Sequence, residues 1–380
     1  MRAMPMPPLQ QPRRICKTSI NRPFPKRRTD MGARIGVVGI GWWACFNHIP
    51  TLQGCKDVDH VAICDLDAAR LAQVGDQFDI AARYHDVAQM VQTERLDGVI
   101  VSTPHVAHLR PAIAALQAGA HVLVEKPMAT SAADGRAIAA AGVEYDRQVV
   151  VSTGLNFTRF TAFAADMVRA GRIGTVRHAV CQMGSALDDL MAGEPMLETT
   201  THLFRPPAST WADPAKAGGY AWGQMSHSLG WLCHVADLRF ESIYCLDGKS
   251  KTGVDYYDAA VGRCTNGATV ALSGSSTVPK HRGMHTDIRI YGTEGVIWFD
   301  CEAGRARLEL SRMDGATEVY PMAAGEADYD GTLPVSHFAA LCAGRDVGNP
   351  ANGENGARVT EAIAAMYQSA ASGAAVQIGG

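Results

Sequence analysis

The residues that could do chemistry begin with the run Arg34-Ile35-Gly36-Val37-Val38-Gly39-Ile40-Gly41-Trp42-Trp43-Ala44. Ile35 to Val38 are apolar on both faces of an extended chain and read as a short buried strand. Gly39-x-Gly41-x-x-Ala44 follows, and Phe46, Ile49 and Leu52 continue at helical spacing. Gly39 permits a tight turn from strand to helix. Gly41 has no Cβ, so a pyrophosphate can approach the backbone. Ala44 lets the helix sit close to the sheet. Trp42 and Trp43 then serve as packing residues whose backbone N–H groups, with the positive end of the helix dipole, face the phosphates. A second apolar strand over 61–64 ends at Asp65, 21 positions past Ala44. That is close to the offset of about 20 for the acid that holds an adenosine ribose. Strand, glycines, helix, second strand and acid together imply dinucleotide binding. An Asp carboxylate repels a 2′-phosphate by about 4 kcal/mol at 4 Å and an effective dielectric of 20. NAD is therefore the expected form. Arg70 is the one nearby cation that could admit NADP.

These residues need a frame to hold them. From Gly32 to about Val151 the pattern alternates strand and helix. Helices are expected over 68–78, 86–94, 108–119 and 132–142, with strands over 97–102, 121–124 and 148–152. Strands separated by helices imply a parallel sheet covered on both faces, with ligands past its carboxyl ends. Gly39, Asp65, Ser102-Thr103-Pro104 and Glu125-Lys126-Pro127 all fall at such ends. After Thr153 a helix (161–170) and a strand (176–183) lead into a loop-like stretch, 184–222, and a helix over 225–235. Between Ile243 and Tyr320, strands alternate with turn signals such as Asn266-Gly267 and Asp314-Gly315, so a largely antiparallel sheet is expected. Two further helices are expected over 336–343 and 357–371. The fold class is α/β: a Rossmann sheet over 32–153 and a second α/β domain with an open sheet over 154–380.

Composition narrows the function. A length of 380 residues with 47% hydrophobic content suits two globular domains. No apolar run approaches the roughly 20 residues needed to span a bilayer. The ten cysteines contain no Cys-x-x-Cys pair, which suits a reducing cytoplasm. Residues 1–30 carry a charge of +7 and six prolines, and are expected to form a disordered basic arm, or an extension upstream of a start at Met31. The remainder carries −10, a poor balance for nucleic-acid binding. His281 and His285 have i, i+4 spacing but fall between strands, near Pro279 and Gly283, so no metal site is expected.

The glycine turn, Thr103-Pro104-x-x-x-His108, Glu125-Lys126-Pro127, Gly171-x-Ile173-Gly174 and a His after Gly218-Gly219 resemble the Gfo/Idh/MocA family. The resemblance covers about residues 32–380. It implies NAD(P)-dependent oxidation or reduction of sugars, inositols and related polyols, by a homodimer or homotetramer joined through the open sheets. Lys126 matches the family's catalytic lysine, with a cis peptide to Pro127 aiming it at the cleft. A cation beside a hydroxyl that must lose a proton stabilises the developing alkoxide. His227 matches the active-site histidine and would act as general base. His234, seven residues later on the same helix face, ranks below it. Ser102, Thr103, Pro104, His108 and Glu125 are the other expected cofactor contacts. Asn156, Arg159 and Gln224 are candidate substrate contacts. Many relatives carry an Asp four residues before the His. Here that position is Gly223, followed by Gln224, which can hold a hydroxyl but cannot take its proton. Two further readings fit the same residues: a redox-neutral glycosidase that retains NAD, and a non-catalytic NAD and sugar sensor.

Overall fold

The computed structural model describes residues 32–302 and 304–379; the basic arm expected over 1–30 lies outside the described residues. Six parallel strands form the first sheet: β1 (Ala33–Val38), β2 (Val58–Cys64), β3 (Arg83–Tyr84), β4 (Gly98–Val101), β5 (His121–Val124) and β6 (Val149–Val151). Their order is β3-β2-β1-β4-β5-β6, so the direction of winding reverses between β1 and β4. That reversal opens a crevice at the carboxyl ends of β1 and β4. Helices cover both faces. Val99, Val101, Val122 and Val124 pack with Leu116 and Ile138 on one side. Ile35, Val37, Ile100 and Leu123 pack with Ile49 and Leu52 on the other. Asp67, Asp86 and Ser131 cap their helices with side-chain oxygens. The two-residue strand β3 is too short for an alternating pattern and was not foreseen.

The helix after the glycine turn departs from the expected regular form. It runs as a π-helical turn, Ala44–His48, before the α-helix Ile49–Gly54. Pro50 has no N–H to return to Phe46, and the Ile49 N–H bonds to Ala44 O, five residues back.

The second sheet has nine strands: β7 (Val176–Gly184), β8 (Phe240–Lys249), β9 (Asp255–Cys264), β10 (Thr269–Ser275), β11 (His285–Gly292), β12 (Gly295–Asp300), β13 (Arg307–Arg312), β14 (Thr317–Val319) and β15 (Val376–Gln377). Their order is β14-β13-β12-β11-β7-β10-β9-β8-β15. All pairs are antiparallel except β7 with β10. The inner face carries Ile288, Ile290, Ile297, Phe299, Leu308 and Leu310 against Phe160 and Trp231. The outer face leaves Tyr244, Leu246, Tyr257 and Val261 exposed.

The division expected at 153/154 separates the sheets but not the packing. The helix Thr332–Cys342 returns to the first sheet, where Val335, Phe338 and Ala339 join its core. The helix Gly353–Ser372 borders both cores, with Ala357 in one and Ile363 and Met366 in the other. The stretch read as loop over 184–222 contains short helical turns and crosses to the first sheet. His202 accepts a hydrogen bond from Trp42 Nε1 at 2.9 Å and stacks on Phe46 at 4.1 Å.

Trp231 is fully buried, stacks on Phe299 at 4.7 Å and donates to Thr161 Oγ1 at 2.7 Å. Trp231→Ala is therefore expected to destabilise the chain by about 3–5 kcal/mol in urea unfolding. A loss under about 1 kcal/mol would show that this core collapses around the gap.

Candidate active site

The glycine turn is built by two different demands. Gly39 has φ +80, and a Cβ there would lie 2.7 Å from Thr103 N. The chain itself thus requires glycine, because the turn after β4 presses on it. Gly41 differs: a Cβ there would meet no atom of the other described residues within 4 Å. Packing does not call for glycine at 41, but close approach of a bound pyrophosphate does. Asp65 ends β2 and braces the same turn: its Oδ2 accepts from Ile40 N at 3.1 Å and its Oδ1 from Asp67 N at 2.9 Å. Arg70 Nη1 lies 3.4 Å from Asp65 Oδ2.

At the end of β5 the buried Glu125 carboxylate is the centre of a polar cluster. His48 Nε2, fully buried on the π-helical turn, lies 3.1 Å from Glu125 Oε1. Lys126 N donates to Glu125 Oε2 at 3.1 Å. Burial pushes this carboxyl up, but His48 and the Lys126 charge outweigh it and hold it at about 2. The Lys126–Pro127 peptide is cis. Lys126 is half-buried, and its Nζ donates to Gly223 O at 2.6 Å. Burial pushes the ammonium down to about 8, against the opposing pull of Glu125.

His227 enters from the second domain. It lies in the first turn of the helix Ser226–Ala236, directly after a second π-helical turn, Ala221–Met225. Its ring is buried edge-to-face against Tyr329 at 5.2 Å, and Nδ1 has no partner among the described residues. An orphaned buried nitrogen is the state expected where substrate completes the hydrogen bond. Burial, then the Lys126 charge, keep its proton affinity well below the usual imidazole value. His105 is likewise buried, bonded through Nδ1 to Ala217 O at 3.0 Å, and pushed by burial down to about 3.

The structure gathers Gly39, Gly41, Ser102, Thr103, Pro104, Glu125, Lys126 and His227 at neighbouring strand ends and the helix facing them. It assigns other candidates differently. His108 is spent on the frame: Nδ1 faces Pro127 O at 3.0 Å and Nε2 faces Thr103 O at 2.8 Å. Burial keeps this imidazole neutral, so its single N–H can bond only one of the two carbonyls, and that bond ties the ring to the strand-end motifs. Asn156 Nδ2 donates to Gly230 O at 3.1 Å and Pro350 O at 3.0 Å, while its buried Oδ1 has no partner among the described residues. The Arg159 side chain is 86% exposed, 3.8 Å from Glu326, outside the buried cluster. His234 sits in the last turn of its helix, near Arg169 and Asp237. Gln224 is buried beside Gly223. His48, Tyr329 and Trp211 escaped the sequence reading. The one available signal was Gly223 itself: a Cβ there would lie 2.5 Å from Trp211 Cζ3, so an Asp at this position has no room.

Residues 33–153 match the pattern described as "Oxidoreductase family, NAD-binding Rossmann fold". Residues 161–298 match the "GFO/IDH/MocA C-terminal domain". The chain belongs to the Gfo/Idh/MocA family. It is 30% identical over 239 residues to 1-carboxy-3-chloro-3,4-dihydroxycyclo hexa-1,5-diene dehydrogenase of Comamonas testosteroni, covering 63% of this chain and 54% of that protein. It is 30% identical over 161 residues to D-apiose dehydrogenase of Paraburkholderia graminis, covering 42% of each. The matches thus span about half the length of these curated relatives. An Agrobacterium radiobacter oxidoreductase solved with NAD+, L-tartaric acid and magnesium shares the fold: TM-score 0.69, 20% identity, 92% of this chain and 99% of that one.

As a member of the Gfo/Idh/MocA family, the chain has an NAD-binding Rossmann domain, and its residues fit that cofactor. The open space over Gly41, the N–H groups of Trp42 and Trp43 and the carboxylate of Asp65 offer a phosphate and ribose cradle. Gly41→Ala should leave the melting temperature unchanged while weakening NADH binding, read by fluorescence titration, at least about tenfold. Unweakened binding would place the phosphates elsewhere.

Proposed function

We propose that the protein is an NAD-dependent dehydrogenase acting on a secondary alcohol of a sugar, inositol or related polyol. The observation that carries this reading is the juxtaposition of a half-buried ammonium, Lys126, with a neutral buried imidazole, His227, whose Nδ1 has no partner among the described residues. Bound NAD supplies the hydride acceptor. The substrate hydroxyl gives its proton to His227. The Lys126 ammonium stabilises the oxyanion left behind, in a site with little competing water. The names of the two curated relatives, dehydrogenases of a dihydroxylated cyclohexadiene and of D-apiose, support a hydroxylated carbon substrate. Arg70, paired with Asp65, leaves room for NADP as a second cofactor.

The exposed outer face of the second sheet, with Tyr244, Leu246, Tyr257 and Val261, supports a homodimer or homotetramer formed over that face. Nine free cysteines among the described residues support a reducing, cytoplasmic setting. No described helix is long and apolar enough to cross a membrane.

Lys126→Met and His227→Ala should each lower turnover at least about 100-fold while NADH still binds. Unchanged turnover in both would remove this mechanism. Lys126 acts as the charged form, which is present below its pKa and lost as pH rises through about 8. His227 acts as the neutral form, present down to well below pH 6.5. Activity should therefore hold through neutral pH and fall above about 8, as followed by NADH absorbance across a pH series. Steady NADH formation from a free polyol separates this reading from a redox-neutral glycosidase. Leu246→Glu with Val261→Glu should yield a monomer in light scattering; an unchanged mass would move the interface off this face.

A further inference from the structure

Trp211 belongs to none of the motifs that mark the site. It ends the short helix Ala208–Trp211, in the segment that crosses from the second sheet to the first. Lys126 Nζ lies over its ring at 5.4 Å from the centroid. His105 meets it edge-to-face at 5.4 Å and 78°. On its third side the six-membered ring lies against Gly223, where any Cβ would come within 2.5 Å of Cζ3. The carbonyl of that same glycine accepts the Lys126 hydrogen bond at 2.6 Å. The backbone is as tightly fitted as the ring. Gly219 N donates to Trp211 O at 3.0 Å, and a Cβ on Gly218 would lie 2.5 Å from that oxygen. Three glycines before His227, at 218, 219 and 223, thus make room for or bond to this one tryptophan.

Position and chemistry together define what the ring does. A hydroxyl bound at Lys126 Nζ, which lies 5.4 Å from the indole centroid, would bring its carbon and the neighbouring C–H bonds within reach of that ring. A flat aromatic surface gains most from a ligand that offers several C–H bonds in one plane. A ring substrate does so without freezing torsions. An open-chain polyol must lose rotamer freedom to match it. We propose that Trp211 holds the Lys126 ammonium in place and presents an indole wall that selects cyclic over open-chain polyols. Its specificity part rests on the dehydrogenase reading above; its positioning part does not.

The test uses the full chain with Trp211→Ala and Trp211→Phe. Lys126 is acylated over a pH series, and its extent of modification is read by peptide mass spectrometry, a readout that needs no turnover. In the parent chain the midpoint should lie near 8. Trp211→Ala removes the cation–π contact, which lowers the midpoint, and admits water, which raises it. Burial is the larger cause of the depression, so a net rise toward an ordinary lysine is expected, while Trp211→Phe keeps the midpoint. The second readout is the ratio of kcat/KM for inositols and pyranoses to that for open-chain alditols. It should fall at least about tenfold in Trp211→Ala, chiefly through KM for the ring substrates, and persist in Trp211→Phe. An unchanged lysine midpoint overturns the positioning role. An unchanged ratio overturns the specificity role. If Trp211→Ala does not fold, Trp211→Leu, which keeps bulk but loses the flat face, decides the ratio alone. A parent chain that oxidises no polyol defeats the dehydrogenase reading, while the lysine midpoint still decides the positioning role.

Discussion

A buried carboxylate at the end of β5 sets the terms for everything around it. Glu125 is shielded from water, and a buried charge without compensation is expensive. His48, the Lys126 backbone N–H and the Lys126 ammonium supply that compensation. The charge of Glu125 favours the protonated form of His105, His108, Lys126, His227 and Tyr329, but of these only Lys126 is a cation that it balances. Removing the carboxylate would leave Lys126 as a lone cation in a half-buried site. Breaking a buried pair by removing one partner is far more destabilising than the pair is stabilising.

Among the described residues two turns are π-helical, and one borders Glu125 while the other borders Lys126. The π-helical turn Ala44–His48 carries the histidine that faces Glu125. The π-helical turn Ala221–Met225 carries the carbonyl that receives Lys126. A wide turn re-aims side chains and carbonyls that an α-helix would point elsewhere, and such turns recur at functional sites. The result is an ammonium next to imidazoles that burial keeps neutral. Those are the two protonation states that removal of a hydroxyl proton requires.

The parts of the site that were legible in the sequence were those with a local cause. Gly39, Gly41 and Asp65 announced themselves because a strand, a tight turn and a helix entrance demand particular residues within a few positions. Glu125-Lys126-Pro127 stood out as a strand end. His108 belonged to a legible motif, but its surroundings did not: only the fold reveals that its ring lies between the carbonyls of Thr103 and Pro127. Asn156 and Arg159 sat near the domain linker in sequence. Asn156 is buried with its amide N–H groups bonded to carbonyls, and Arg159 is a surface cation, since proximity in chain order says nothing about where a side chain points. Gly223 was noticed as a departure, and its cause, the ring of Trp211, lay twelve residues away in a stretch with no periodic pattern.

The sequence by itself determined the alternation of strand and helix, the largely antiparallel second sheet and the glycine turn, because hydrophobic period and turn chemistry act over a few residues. The tertiary structure alone decided that His48 faces Glu125, that Trp211 covers Lys126, that Tyr329 packs on His227, and that the helix Thr332–Cys342 returns to the first sheet. Those contacts join segments up to hundreds of positions apart. They follow from how whole layers bury their apolar faces, a condition that no local window of residues expresses.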